Sequence, residues 1–208
     1  MYQPKTVVTS ADEIREILGS VSYGQTHKVI DHIDEHCRKW IERSPFIVVS
    51  TTDRSGRVDV SPKGDPAGFV KIIDPKTLAV PDRSGNNRGD TFMNILENPH
   101  IGLMFVIPRR REVVRVSGQA QIVRDHDLLA SMAIRDRKPD LAILVRVEKA
   151  FFHCGKSMIR SGMWQPDAWG SIDGLPSYAD ALMAHAKPSF TKEEMQARIE
   201  TNERERLY

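Results

Sequence analysis

The sequence predicts a mainly β protein with flanking helices, an α+β fold, on three observations. Short apolar runs alternate with turn residues from Phe46 to Phe152, and the chain on either side has helical periodicity. Within the β-rich stretch only one short segment, Thr91–Glu97, has a helical pattern. Six or seven strands with a single helical crossover favour a closed or nearly closed barrel over a series of βαβ units.

The length of 208 residues suits a single domain. We divide it into N-terminal helices over 1–45, a barrel core over 46–155 and a helical C-terminal extension over 156–208. The 30 basic and 28 acidic residues are spread along the chain, which gives no general attraction to nucleic acid or to an anionic membrane. We therefore expect neither as a partner.

The sequence carries no pattern of an exported or membrane-spanning protein. No basic stretch is followed by an apolar core and a small-residue cleavage site, and no apolar segment approaches the ~20 residues that span a bilayer. The two cysteines, Cys37 and Cys154, do not make a disulfide framework. We expect a cytoplasmic protein.

Helices are predicted at the N-terminal side. Ser10–Glu13 has the pattern of a capping box, in which a Ser hydroxyl and a Glu carboxylate satisfy free backbone N–H groups. A longer helix is predicted to follow, because Val29, Ile33 and Trp40 recur at three- and four-residue steps. Ser44-Pro45 is predicted to end it.

The β segments follow in order. They are Phe46–Thr51, Arg57–Lys63, Phe69–Ile73, Leu78–Val80, Ile101–Ile107, Val113–Val123 and Leu141–Phe152. Asp74–Thr77 is predicted to be the turn between the third and fourth, since Pro75 fixes φ there. Asp125 is predicted to cap a helix that runs to about Arg135, and Thr191–Glu194 has a second capping-box pattern.

Two strand ends carry the residue types of an anion site. The segment Val58–Asp65 ends with a Lys between Pro and Gly, and Leu78–Arg88 ends in a loop rich in amide and guanidinium donors. Gly-rich turns that lead into helices favour phosphate, because backbone N–H groups and the helix dipole point at the anion. The same Asn and Gly residues are also typical of a plain turn.

Five ordered segments resemble the pyridoxamine 5'-phosphate oxidase-related, FMN-binding family. The resemblance spans roughly residues 40 to 160. Its segments are Phe46–Thr51, Gly56–Lys63, Leu78–Arg88, Asn94–Pro99 and Val114–Ala120. The resemblance implies a six-stranded split β-barrel that forms a homodimer, with two FMN molecules held in clefts at the subunit interface.

The resemblance also implies which residues bind FMN. They are Ser61, Lys63, Val80, Pro81, Asp82, Asn86, Asn87 and Arg88. Residues 80–82 would follow the ring and ribityl chain, partly through backbone groups, and residues 86–88 would grip the phosphate, where Arg is a bidentate, permanently charged partner. Lys63 would lie against the flavin ring edge or the phosphate. A cation at the ring edge stabilises the negative charge of the reduced flavin and raises its reduction potential.

The C-terminal region departs from the family's pattern. Pyridoxamine phosphate oxidases have an Arg- and His-containing motif there that holds the vitamin substrate, whereas this chain ends in Glu203–Tyr208. A different segment, residues 152–164, stands in the corresponding region. Its candidates for substrate contact are His153, Lys156, Arg160 and Trp164.

Two other patterns do not predict sites. His32, His36 and Cys37 cluster on one predicted helix, but third and fourth ligands are not evident, so no metal site is expected. His153 and Cys154 are adjacent in a predicted strand and point to opposite faces, so they do not form a catalytic pair.

The expected function is that of an FMN-dependent oxidoreductase. It would move two electrons between the flavin and a small, planar or anionic organic substrate that the sequence does not identify. The alternative is a protein that binds or carries a flavin without efficient turnover. Related split barrels bind haem or a deazaflavin, so a different cofactor is a third alternative.

Overall fold

Seven strands form a single antiparallel sheet in the computed structural model, which describes all 208 residues. The strands are β1 (Phe46–Thr52), β2 (Val58–Gly64), β3 (Lys71–Asp74), β4 (Thr77–Pro81), β5 (His100–Val106), β6 (Val113–Val123) and β7 (Ala142–His153). Their order across the sheet is β2-β1-β5-β6-β7-β4-β3, and every neighbouring pair is antiparallel. The helices flank this sheet, so the mainly β class is confirmed.

The sheet differs from the six-stranded split barrel that the resemblance implies, because it has one strand more and is not closed into a barrel. The sheet has seven strands, and its edge strands β2 and β3 do not pair with each other. Pro62 has no N–H to give to a further ladder, which suits β2 to an edge position. β3 is only four residues long and its register with β4 shifts between Ile72 and Asp74, so it offers little backbone for closure.

Eight α-helices lie before, after and between the strands. They are α1 (Ala11–Leu18), α2 (Tyr23–His27), α3 (Glu35–Ile41), α4 (Asp90–Glu97), α5 (His126–Ser131), α6 (Lys156–Arg160), α7 (Tyr178–Ala186) and α8 (Lys192–Glu205). A 3₁₀ turn covers Pro166–Ala168. The Ser10 hydroxyl accepts from the N–H of Glu13, and Thr191 and Glu194 form the full reciprocal capping box, so both predicted helix starts are confirmed.

The long helix predicted up to Ser44 is wrong. The chain leaves the helical path after His27, and Ile30 pairs with Ala150 of β7 through hydrogen bonds of 3.0 and 2.7 Å. A new helix, α3, starts because the Asp34 carboxylate accepts a hydrogen bond from the N–H of Cys37 at 2.8 Å. The apolar spacing of Ile33, Cys37 and Ile41 reflects their burial, since α3 packs against β6 and β7. The pairing of Ile30 with Ala150 prevents one continuous helix through this region.

The helix predicted to run from Asp125 to about Arg135 ends earlier, at Ser131. Arg135 and Asp136 have φ angles of 49° and 62°, in the left-handed region that a helix cannot use.

The inner face of the sheet carries the hydrophobic core. In β1 the side chains of Ile47, Val49 and Thr51 are buried, while the residues between them are partly exposed. Phe105 of β5 and Val145 of β7 are fully buried on the same side. This alternation means that β2, which pairs with β1, also presents one face inward and one face outward.

No helix has both the length and the apolar content that crossing a membrane requires.

Candidate functional site

A polar cleft of about 690 Å³ opens between β2 and the loop that follows β4. Its size lies within the range of small-molecule and cofactor sites. Apart from Val60, Phe69 and Phe92 its lining is polar or small: Asp59, Ser61, Pro62, Lys63, Gly64, Pro81, Asp82, Arg83, Ser84, Gly85, Asn86, Asn87, Arg88, Gly89, Asp90 and Thr91. The cleft therefore lies beside β2, one of the two edge strands of the sheet.

One wall of the cleft is the inner face of β2. Asp59, Ser61 and Lys63 stand opposite the buried residues of β1 and are half-buried, whereas the residues between them are exposed on the outer face. Lys63 Nζ lies 5.9 Å from the centroid of the Phe92 ring. The alternation of β2 therefore aligns a carboxylate, a hydroxyl and an ammonium group along one side of the cleft.

The opposite wall ends at the start of α4. Gly89, the residue before the helix, has a φ of 71° and Asn87 has a φ of 58°, so the loop turns sharply through left-handed backbone. No side chain caps α4. Its first-turn N–H groups therefore have no capping side chain, the first-turn residues Asp90, Thr91 and Phe92 line the cleft, and such a turn before a helix favours an anion.

Arg88 carries the exposed positive charge at this end of the cleft. Its side chain is 70% exposed, and Nε donates to the Asp90 carboxylate at 2.6 Å. The Asp90 carboxylate raises the pKa of Arg88, so the guanidinium is always charged. An anion at this position has to compete with Asp90 for the guanidinium.

Three side-chain hydrogen bonds hold α4 against the sheet. Thr91 Oγ1 donates to Asp59 at 3.3 Å, and Asn94 Nδ2 donates to Thr51 Oγ1 at 3.1 Å. Asn98, directly after the helix, donates through Nδ2 to Thr52 Oγ1 at 2.7 Å. The first bond joins the start of the helix to β2, and the other two join Asn94 and Asn98 to β1.

Asp82 is the half-buried acid of the cleft. Burial raises the pKa of its carboxyl above the ordinary value, and the nearby Lys63 ammonium opposes this. Its N–H donates to the carbonyl of Leu141 at 2.9 Å, which continues the pairing of β4 with β7 by one residue. Its side-chain oxygens can accept a hydrogen bond from a ligand in the cleft.

The cleft brings together seven of the eight residues implied to bind FMN. They are Ser61, Lys63, Pro81, Asp82, Asn86, Asn87 and Arg88. The eighth, Val80, is fully buried in the core opposite Ile143, so its side chain does not reach the cleft. Sequence reasoning left out Asp59, Phe69 and Phe92, which also line it. Period-two alternation with Ser61 and Lys63 is a signal that could have found Asp59.

The four candidate substrate residues lie elsewhere. His153 ends β7, Lys156 and Arg160 begin and end α6, and Trp164 follows, so none of them lines the cleft of the same chain. The Trp164 indole N–H donates to the main-chain oxygen of Arg110 at 2.7 Å, which holds this segment on the β5–β6 turn.

The protein is thus an open antiparallel sheet with a polar cleft large enough for a small ligand. The donors at the start of α4 suit this cleft to an anion. The family model described as pyridoxamine 5'-phosphate oxidase matches residues 33–154, more than half of the chain. The chain belongs to this family. No curated protein matches it.

Several solved structures are similar to the chain. HupZ of Group A Streptococcus is 23% identical with a TM-score of 0.48, over 58% of this chain and 93% of that one. A putative pyridoxamine 5'-phosphate oxidase from Lactobacillus delbrueckii is 20% identical with a TM-score of 0.47, over 59% and 95%. An FMN-binding protein from Syntrophomonas wolfei is 12% identical with a TM-score of 0.42, over 55% and 86%. The family assignment rests on the family model.

Proposed function

We propose that the cleft binds FMN and that the protein is an FMN-dependent oxidoreductase acting on a small organic substrate. The observation that carries the proposal is the convergence of phosphate donors at the start of α4, in a chain of the pyridoxamine 5'-phosphate oxidase family. When bound, FMN supplies two-electron transfer, and the protein positions it and tunes its electronics.

The phosphate end of FMN fits the loop before α4. Asn86, Asn87 and Arg88 offer amide and guanidinium donors there, and the uncapped helix adds main-chain N–H groups. A phosphate also explains why this end lacks a Ser, Thr or Asp cap, since a capping side chain would occupy the donors that the anion needs.

The rest of the cleft fits the ribityl chain and the ring. The Asp82 carboxylate can accept a hydrogen bond from a hydroxyl group of the ribityl chain. Lys63 places a positive charge on the wall, where it would stabilise the negative charge of a reduced flavin. Phe69 and Phe92 add apolar surface that excludes water from one side.

A homodimer is part of this proposal, because one chain leaves the cleft open beside exposed apolar side chains. Val58 and Val60 are exposed on the outer face of β2, and Met93 and Leu96 are exposed on α4. A second copy that packs on these residues would bury them and supply further cover for the ring. It would also be the source of substrate contacts from His153, Lys156, Arg160 or Trp164 of the partner.

The absorption spectrum of the purified protein tests the proposal. Bound FMN absorbs near ~450 nm and haem near ~400 nm, as general properties of these cofactors. We expect the ~450 nm band, released FMN after denaturation, and bleaching by NADH or NADPH. A haem band, or no cofactor after incubation with FMN, would overturn it. A bound flavin that no reductant or substrate bleaches would favour the carrier alternative.

A further inference from the structure

Two cationic side chains meet on one aromatic ring, away from the cleft. Arg115 of β6 and Phe151 of β7 are directly paired across the sheet, and the guanidinium carbon of Arg115 lies 5.1 Å from the centroid of the Phe151 ring. Lys28, in the segment after α2, places its Nζ 5.4 Å from the same centroid. Both cations therefore lie within cation–π distance of the same ring.

A third basic group lies on the same face of the sheet. His153 is two residues beyond Phe151 in β7, and strand residues two apart share a face. Partial burial and the positive charges of Arg115 and Lys28 lower the pKa of His153. The imidazole therefore lies within the field of both cations.

No acidic group of the chain neutralises this cluster. Arg115, Lys28 and His153 form no ion pair with Asp or Glu, and their side chains make no hydrogen bond. The nearest acidic residues in sequence are already engaged, because Asp31 pairs with Lys76 at 2.6 Å, Glu112 pairs with Arg110 at 3.4 Å and Glu148 accepts from Gln119 at 2.8 Å. All the polar hydrogens of the cluster are therefore free for a ligand.

We propose that Lys28, Arg115 and His153 form a second anion-binding site, which takes the phosphate group of a small molecule. The guanidinium offers a bidentate fork and the ammonium a compact charge, and together their two fixed charges match a dianion. A monoanionic carboxylate would leave one of them unneutralised. None of the three residues lines the cleft of its own chain, so within one chain this site is separate from the residues proposed to bind FMN.

The nuclear magnetic resonance signal of the His153 ring gives a test that is specific for this site. Inorganic phosphate is titrated into the full-length protein, with sodium chloride at matched ionic strength as the reference. We expect saturable movement of the His153 signal and a rise in the pKa of His153 with phosphate, and neither with chloride. Arg88→Ala, which alters the cleft alone, should leave both effects unchanged.

Variants of the two cations complete the test. Arg115→Gln should weaken phosphate binding at His153 by about tenfold or more, since a charge-assisted bidentate contact is lost. Arg115→Lys should weaken phosphate binding less than Arg115→Gln does. Lys28→Gln should also weaken it, and because Lys28 lies outside the strands, this variant leaves the sheet unchanged. The control is Arg124→Gln, an exposed arginine just after the other end of β6. Equal responses to phosphate and chloride, or equal affinities for wild type and Arg115→Gln, would overturn the proposal.

Discussion

The Asp65 carboxylate accepts a hydrogen bond from Arg83 Nε at 2.6 Å, and this ion pair joins the end of β2 to the loop after β4. The side chains are 1% and 16% exposed, respectively. Tyr208 donates its hydroxyl to the other Asp65 oxygen at 3.0 Å, and Arg83 also donates to the carbonyl of Met132 at 2.8 Å. Side-chain bonds thus join the end of β2 to the loop after β4, although β2 pairs with neither β3 nor β4.

Loss of this bridge should destabilise the fold. Arg83→Met leaves the buried Asp65 carboxylate without its cation, and breaking a buried pair costs about 3–5 kcal/mol. We expect a loss in the free energy of unfolding near the lower end of that range, because Tyr208 still donates to Asp65. Urea denaturation of the flavin-free protein measures it.

The matched control for Arg83→Met is Lys39→Met. Lys39 pairs with Glu35 on the surface of α3, where both side chains are exposed. Exposed helix pairs contribute about 0.3–0.5 kcal/mol. Similar losses for the two variants would contradict a special role for the Asp65–Arg83 bridge.

The turn between β1 and β2 should make stability depend on pH below about 4. The Asp53 carboxylate accepts from the Ser55 hydroxyl at 2.7 Å, the Arg57 N–H at 2.9 Å and Arg57 Nε at 2.6 Å. The Ser55 and Arg57 hydrogen bonds lower the pKa of Asp53 from 3.8 to about 2. A lowered pKa in the folded state means that these bonds stabilise above pH 3.8 and are lost as the pH falls toward 2.

Asp53→Asn tests this dependence. Urea denaturation should find the variant less stable than wild type at pH 7, with the difference shrinking between pH 4 and pH 2. Asp127→Asn, at a fully exposed carboxylate on α5, is the control and should change stability little at either pH. A difference for Asp53→Asn that is constant across this range would show that packing, and not charge, is what the substitution removes.

Local signals in the sequence predicted strands and helix starts better than they predicted how segments meet. The bounds of Val113–Val123 agree with β6, and the Thr191 capping box is formed as expected. The interruption between α2 and α3 was missed, because the pairing of Ile30 with Ala150 joins residues far apart in sequence. The sequence also did not predict that β2 and β3 stay unpaired, because this depends on the order of the strands and not on any one segment.

For the candidate site as well, the sequence predicted the residue types better than it predicted which residues contact one another. Donor-rich strand ends indicated one anion site, and the structure brings the residues of β2 and of the loop after β4 into one cleft. Val80 was included by its place in the chain, but its strand position turns it into the core. Asp90, which pairs with Arg88, and Asp65, which pairs with Arg83, were not predicted as partners.

Dimer formation should depend on the outer face of β2. Val58 is 65% exposed there and does not line the cleft, and an obligate dimer typically buries more than ~2,000 Å². We expect light scattering at micromolar concentration to give a dimer for wild type and a monomer for Val58→Glu, with weaker FMN binding by the monomer. Ile73→Glu, at an exposed apolar residue of β3, is the control. A flavin-loaded wild-type monomer would refute the prediction.

Arg88→Ala should weaken FMN binding, whereas Arg110→Ala should not. A charge-assisted contact is worth about 1.5–3 kcal/mol. We expect the lower end, roughly a tenfold rise in the dissociation constant of FMN, because Asp90 competes for the guanidinium and Arg88 is exposed. Arg110 lies on the β5–β6 turn against Trp40, outside the cleft. Flavin fluorescence titration gives both constants, and equal values for wild type and Arg88→Ala would exclude Arg88 as the phosphate ligand.

The FMN-loaded protein should not oxidise pyridoxamine 5'-phosphate efficiently. A phosphorylated pyridine needs cationic anchors and a ring-positioning group on the open face of the flavin, and precise placement accounts for many orders of rate. Residues 152–164 stand in the region of the Arg- and His-containing motif of the family's oxidases, and their pattern differs from that motif. His153, Lys156 and Arg160 supply basic groups with a different spacing, outside the cleft of their own chain.

Oxygen consumption and the absorbance of pyridoxal phosphate measure this turnover, with flavin-free protein as the blank. We expect kcat/KM to stay below about 10⁴ M⁻¹s⁻¹, the lower end for natural enzyme–substrate pairs. The positive control is bleaching of the same sample by dithionite, which shows that the flavin is bound and reducible. A higher value would mean that residues outside the family's motif anchor the vitamin. The substrate would then be pyridoxamine 5'-phosphate, and His153, Lys156 and Arg160 would be the first residues to substitute, because they are basic groups of the segment that stands in the region of the family's motif.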